Sequence, residues 1–150
     1  MPGSRGLSHI AMSVPPGTLT EDHREAVRDF YGSAFQWRQI ESLRLPDRLT
    51  FAVGGSCYIN IRERAESMRC TGYEHFGVLL SSAEEVELLW ADVEGHPAGI
   101  HPEPIETGKD GSRSFFFQHL LPFAVEVQFL PGMHVGKRSL PEAFASSIDR

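Results

Sequence analysis

His75-Phe76-Gly77-Val78-Leu79-Leu80 repeats, 66 residues on, the pattern of His9-Ile10-Ala11-Met12-Ser13-Val14: histidine, apolar, small, apolar, then an apolar residue two further along. The same shift of 66 lays Arg48-Leu49-Thr50-Phe51-Ala52-Val53 on Ser114-Phe115-Phe116-Phe117-Gln118-His119 without a gap, and Ile59-Asn60-Ile61 on Val125-Glu126-Val127. Self-similarity at a fixed spacing implies copies of one supersecondary unit. Two copies are too few for a solenoid. Strand, helix, strand, strand in each points instead to a pseudo-twofold pair of small units whose sheets share a concavity. His9 and His75 then hold equivalent places, as do Asn60 and Glu126.

Ala124-Val125-Glu126-Val127-Gln128-Phe129 shows what those places are. Side chains alternate along a strand, so Val125, Val127 and Phe129 share one face and Ala124, Glu126 and Gln128 the other. The apolar face wants a core, and the other carries a carboxylate. A lone glutamate on a sheet face is ordinarily solvated; its register with the two histidines is what singles it out.

At 150 residues, 41% of them hydrophobic and ten of them Phe, the chain is long enough for one domain or for two half-domains too small to stand alone. A formal charge of −6 argues against a nucleic-acid groove or an anionic membrane surface. No run of about 18 apolar residues is present to span a bilayer, and the first residues lack the apolar centre of a secretory signal, so a cytoplasmic protein is expected. Cys57 and Cys70 are the only cysteines and are not in Cys-x-x-Cys spacing, which argues against a disulfide framework or a thiolate zinc site.

Along the chain, Leu7 to Val14 reads as a strand that Pro15-Pro16-Gly17 ends. Thr20 is a candidate N-cap, with Glu21 and Asp22 suited to a helix start and Val27, Phe30, Tyr31, Ala34 and Phe35 at helical spacing. Leu49 to Val53 and Cys57 to Arg62 form a hairpin around Gly54-Gly55. After a charged connection, Tyr73 to Leu80 begins the second copy. Ser82-Ala83-Glu84-Glu85 fits a capping box ahead of an apolar stripe, Val86, Leu89, Trp90 and Val93, that stops at Gly95. A proline-rich loop then leads to strands Arg113 to Leu120 and Phe123 to Leu130. Residues 131–150 read as a C-terminal tail with a short helix from Pro141 to Ile148.

Two imidazoles and a carboxylate with open coordination positions form the facial set used for divalent iron, and the same set holds manganese, zinc, nickel or cobalt. Ala11, Gly77 and Ala124 lie two places from His9, His75 and Glu126 on the same faces, leaving room for a guest. By alternation Thr50, Ala52, Tyr58, Arg62, Phe116 and Gln118 share that face: Tyr58 and Phe116 are placed to sandwich a flat substrate, and Arg62 to meet a carboxylate or phosphonate. His119 reads as a satisfied histidine of the apolar face. His23, His96, His101 and His134 read as surface residues.

Ser8-His9-Ile10-Ala11, Asp29-Phe30-Tyr31, Tyr58-Ile59-Asn60-Ile61, Glu74-His75-Phe76-Gly77-Val78 and Val125-Glu126-Val127, in this order and spacing, resemble the vicinal oxygen chelate superfamily. That superfamily includes glyoxalase I, extradiol dioxygenases, fosfomycin-resistance enzymes and bleomycin-resistance proteins. The resemblance covers Leu7 to Leu130 and implies an α+β fold: one domain over 1–130, with two pseudo-symmetric βαβββ units (7–62 and 73–130) forming a cupped mixed sheet around a metal cavity, helices outside. It implies His9, His75 and Glu126 as metal ligands, and a substrate that chelates the metal through vicinal oxygens; the face and register of Tyr58, Asn60, Arg62, Phe116 and Gln118 make these the expected substrate-binding residues. Asn60 stands where glyoxalase I has a further acidic ligand. An amide coordinates only as a neutral oxygen, so a three-ligand site is expected. Phe115-Phe116-Phe117 fills the strand where the extradiol enzymes' tyrosine would be sought. The expected function is a divalent-metal-dependent enzyme, dioxygenase-like or a lyase or isomerase of glyoxalase type, working on a small molecule as a homodimer. The alternatives are a drug-binding protein of the bleomycin-resistance type and a fosfomycin-resistance-like transferase.

Overall fold

The computed structural model describes residues 6–55 and 57–133. They divide into two compact units at the Met68–Arg69 junction. Each is a βαβββ unit.

In the first unit, β1 (His9–Val14) leads to α1 (Glu21–Phe35), then to β2 (Arg38–Gln39), β3 (Arg48–Gly54) and β4 (Cys57–Glu63), with a 3-10 turn at Glu41–Leu43. The sheet order is β1-β4-β3-β2, with β1 parallel to β4 and the other pairs antiparallel. The Thr20 hydroxyl accepts the His23 N–H at 3.2 Å, capping a helix whose first turn carries Glu21 and Asp22. Helical spacing buries Val27, Phe30 and Tyr31, while the odd-numbered residues of β3 and β4 bury Leu49, Phe51, Ile59 and Ile61. Each such side chain contributes on the order of 1.5–3 kcal/mol through burial. The hairpin after β3 needs glycine: Gly54 and Gly55 have φ of 116° and 57°.

Arg24 is an exception to helical amphipathicity, a charged residue buried in α1. Its guanidinium donates to the carbonyls of Leu19, Leu45, Pro46 and Arg48, so that a buried cation closes the irregular 45–48 segment against the helix.

The second unit has β5 (His75–Leu79), α2 (Ala83–Glu94), β6 (Glu106–Thr107), β7 (Arg113–Phe117) and β8 (Ala124–Phe129), in the order β5-β8-β7-β6 with β5 parallel to β8. Val86, Leu89 and Val93 are buried, as are Phe115, Phe117, Val125 and Val127. The Ser82 hydroxyl accepts the Glu85 N–H at 3.1 Å, and the Glu85 carboxylate accepts the N–H of Ser81, one residue earlier than the usual box. Gly95 ends α2 at φ −78°, not in the left-handed region.

The repeat is written into the pairing. Asn60 is the register partner of Ala11 and Thr50, and Glu126 of Gly77 and Phe116, each pair 66 residues apart. Several expected strands are shorter. β1 starts at His9, β5 spans His75–Leu79, and β7 stops at Phe117, so Gln118 lies beyond it in a turn where Leu120 has φ 60°. The expected helix from Pro141 to Ile148 falls outside the described residues. No helix among the described residues is long and apolar enough to cross a membrane.

Candidate metal and substrate site

In the second unit the alternation of β8 buries Val125 and Val127 and turns Glu126 to the opposite face. His75 opens the neighbouring strand and pairs with Ala124, while Gly77 pairs with Glu126. With no side chain at Gly77 and only a methyl at Ala124, the two functional side chains approach each other: His75 Nε2 stands 3.4 Å from Glu126 Oε2, the side chains 29% and 20% exposed. Phe116, the cross-strand partner of Glu126, sets its ring edge-to-face with His75 at 5.1 Å. On the same imidazole lies Tyr73, at 5.7 Å and 85°.

The other imidazole nitrogen fixes the tautomer of the neutral ring. His75 Nδ1 lies 2.7 Å from the Tyr73 carbonyl oxygen, which can only accept, so Nδ1 carries the proton. In the neutral ring Nε2 is then a lone pair facing a carboxylate, and the arrangement calls for a cation between them or a proton on Nε2. A carbonyl holding the far nitrogen of a histidine is the usual support of a metal-ligating imidazole. Two donors about 2.1 Å from one ion, at an angle of about 90–110°, stand about 3.0–3.4 Å apart. The pair therefore fits a divalent ion. Among the described residues no group of three or more His, Cys, Asp or Glu side chains is gathered closely enough to hold a metal.

In the first unit His9 stacks on its register partner Tyr58, centroids 4.8 Å apart and planes 9° from parallel, with Nδ1 2.9 Å from the Ser8 hydroxyl. Asn60 is half-buried, and its Oδ1 accepts from the Thr50 hydroxyl at 3.3 Å. Thr50 and Ala52 are buried. Arg62 is exposed and paired with Asp47 at 3.2 Å. In the second unit, Gln118 Nε2 donates to the carbonyls of Pro122 (3.1 Å) and Leu121 (3.5 Å).

Sequence reasoning passed over Tyr73, 83% exposed and in contact with His75. Its place two residues before a candidate ligand was the available signal. It also passed over a cavity of about 410 Å³ reached from Phe116 and Ala124, which depends on where the loop after α2 runs and has no local signature. His23, read as a surface residue, is half-buried, and its Nε2 is buried with no hydrogen-bond partner among the described residues.

Two βαβββ units with this strand order define the vicinal oxygen chelate fold, and solved structures bear this out. The chain is similar to a lactoylglutathione lyase from Agrobacterium tumefaciens (22% identity over 89% of this chain and 100% of the other, TM-score 0.64). It is similar to the fosfomycin resistance protein FosX from Listeria monocytogenes in complex with Mn(II) and sulfate (20%, 85% and 91%, 0.62). A glyoxalase/bleomycin resistance protein/dioxygenase from Nocardioides is a further match (16%, 93% and 93%, 0.61). At these identities the likeness establishes the fold. No family profile and no curated protein matches the sequence.

Proposed function

We propose that the protein is a divalent-metal-dependent enzyme acting on a small substrate that presents two vicinal oxygens, by dioxygenase-like or glyoxalase-like (lyase or isomerase) chemistry. The observation that carries this reading is the His75–Glu126 pair: an imidazole nitrogen and a carboxylate oxygen 3.4 Å apart, with the far imidazole nitrogen tied to a carbonyl. His75 and Glu126 are two of the ligands. His9 is the third on the ground of sequence, as the repeat equivalent of His75.

A bound divalent ion supplies Lewis acidity that stabilises negative charge developing on the substrate oxygens. The chain's own residues do the rest. The Tyr73 carbonyl fixes the His75 ring, Gly77 leaves room for the Gln128 amide beside Glu126, and Phe116 supplies a flat apolar wall. Tyr58 and Asn60 are the first-unit residues of the substrate site. FosX, of the same fold, was solved with Mn(II), which makes Mn²⁺ the first ion to test.

The test is the metal content of protein purified without chelator or affinity metal, beside Glu126→Ala. About one ion per chain in the parent, lost in the variant, is the expected result. No metal even after reconstitution with Mn²⁺, Fe²⁺, Zn²⁺, Ni²⁺ or Co²⁺ would overturn the reading in favour of a small-molecule binding protein.

A further inference from the structure

We propose that the cavity between the 98–103 segment and the end of β7 is a subsite for a substrate arm ending in an amine. The proposal rests on the chelating-enzyme reading above and adds to it a chemical class of substrate.

The cavity, about 410 Å³, belongs to the second unit. Two of its lining residues also flank the candidate ligands: Ala124 is the register partner of His75, and Phe116 that of Glu126. The cavity thus adjoins the strand positions next to the pair, toward which a chelated substrate would extend.

Its polar lining is Glu103, Gln118, His101 and His119. Glu103 is held at both of its backbone groups, its N–H donating to the Phe116 carbonyl at 2.8 Å and its carbonyl accepting the Trp90 indole N–H at 2.9 Å. A loop residue is thereby anchored to β7 and α2. Its carboxylate forms no hydrogen bond or ion pair with any described residue. The Gln118 amide nitrogen is already committed to the Leu121 and Pro122 carbonyls, so that Oε1 is the atom it has to offer. Carboxylate and amide oxygen are both acceptors, and the His101 imidazole can accept through one nitrogen.

No Lys or Arg is among the described residues that line the cavity. A carboxylate or phosphonate arm would meet Glu103 with no compensating cation. An ammonium group would gain a charge-assisted hydrogen bond, and the methylene or aromatic stem behind it would lie along Phe116 and Ile100.

The experiment compares two probes with the same chelating oxygens, hexanohydroxamate and 6-aminohexanohydroxamate, binding to Mn²⁺-loaded protein by calorimetry. The amine form is expected to bind about threefold more tightly in the parent, as a charge pair with the exposed Glu103 provides. In Glu103→Gln, which keeps both backbone anchors, the ratio should fall to about one while hexanohydroxamate affinity and the unfolding temperature stay unchanged. Equal affinities in the parent, or a preference that survives Glu103→Gln, would overturn the subsite while leaving the metal reading standing. Absence of Mn²⁺ binding altogether would remove both.

Discussion

Asn60 and Glu126 occupy the same position in two sheets of identical strand order, with the same register to both neighbouring strands, yet one is an amide and the other a carboxylate. Their surroundings differ to match. Asn60 accepts a hydrogen bond from the nearly inaccessible Thr50 hydroxyl, whereas Glu126 faces the imidazole of His75. The fold repeats while the chemistry does not.

Asn60 should therefore matter to stability and to substrate, and not to metal. Asn60→Leu strands the Thr50 hydroxyl, 1% exposed, without its partner. Such a loss costs about 1–3 kcal/mol, to be read by urea denaturation. Metal stoichiometry should be unchanged, while hydroxamate affinity falls.

Gly77 tests the space beside Glu126. A Cβ there would lie 2.9 Å from Gln128 Nε2, the end of a flexible side chain. Gly77→Ala should alter stability by less than about 1 kcal/mol and leave chelator binding within about threefold, because Gln128 can move. Gly77→Leu should keep the bound ion and weaken hydroxamate binding by more than about tenfold, since the added branch displaces the Gln128 side chain into the space that the substrate needs. Metal analysis and calorimetry on both variants separate these outcomes.

Arg24→Met should be among the most destabilising single changes on the first unit. It removes the donors to four carbonyls while keeping the side chain's apolar bulk. A loss on the order of 3 kcal/mol is expected, seen as a lower urea midpoint at an unchanged slope.

His23 gives the first unit a pH dependence. Burial, and then the neighbouring charge of Arg24, hold its pKa below the ordinary value of 6.5. The folded state thus prefers the neutral ring, and the unfolded chain takes up the proton first as pH falls. The stability this provides is whole above the unfolded pKa and is lost as pH drops through the lower folded value. His23→Gln should flatten the stability profile between about pH 7 and about pH 5, as measured by denaturant midpoints across that range.

The repeat was legible because it is carried by short strands whose pairing tolerates no slip. A one-residue shift would turn every buried side chain of β4 or β8 outward. Phe115-Phe116-Phe117 resolved in the same way: the outer two rings are buried and the middle one turns to His75. The helices do not keep the spacing. α1 begins at Glu21 and α2 at Ala83, because the Pro15–Thr20 segment is longer than its counterpart before α2. The edge strands β2 and β6 are two residues each, too short for a period of two to show. Gln118 was aligned with β7 on the strength of the repeat, but the chain turns after Phe117. The tie between His75 and the Tyr73 carbonyl, and the cavity beside Phe116, arise from backbone placement that no residue pattern encodes.

The most direct test of the metal reading is anomalous diffraction at the manganese edge from crystals grown with Mn²⁺. The account predicts one strong peak bonded to His75 Nε2 and to a carboxylate oxygen of Glu126. A peak elsewhere, or Mn²⁺-loaded crystals in which the His75–Glu126 pair holds no ion, would contradict it.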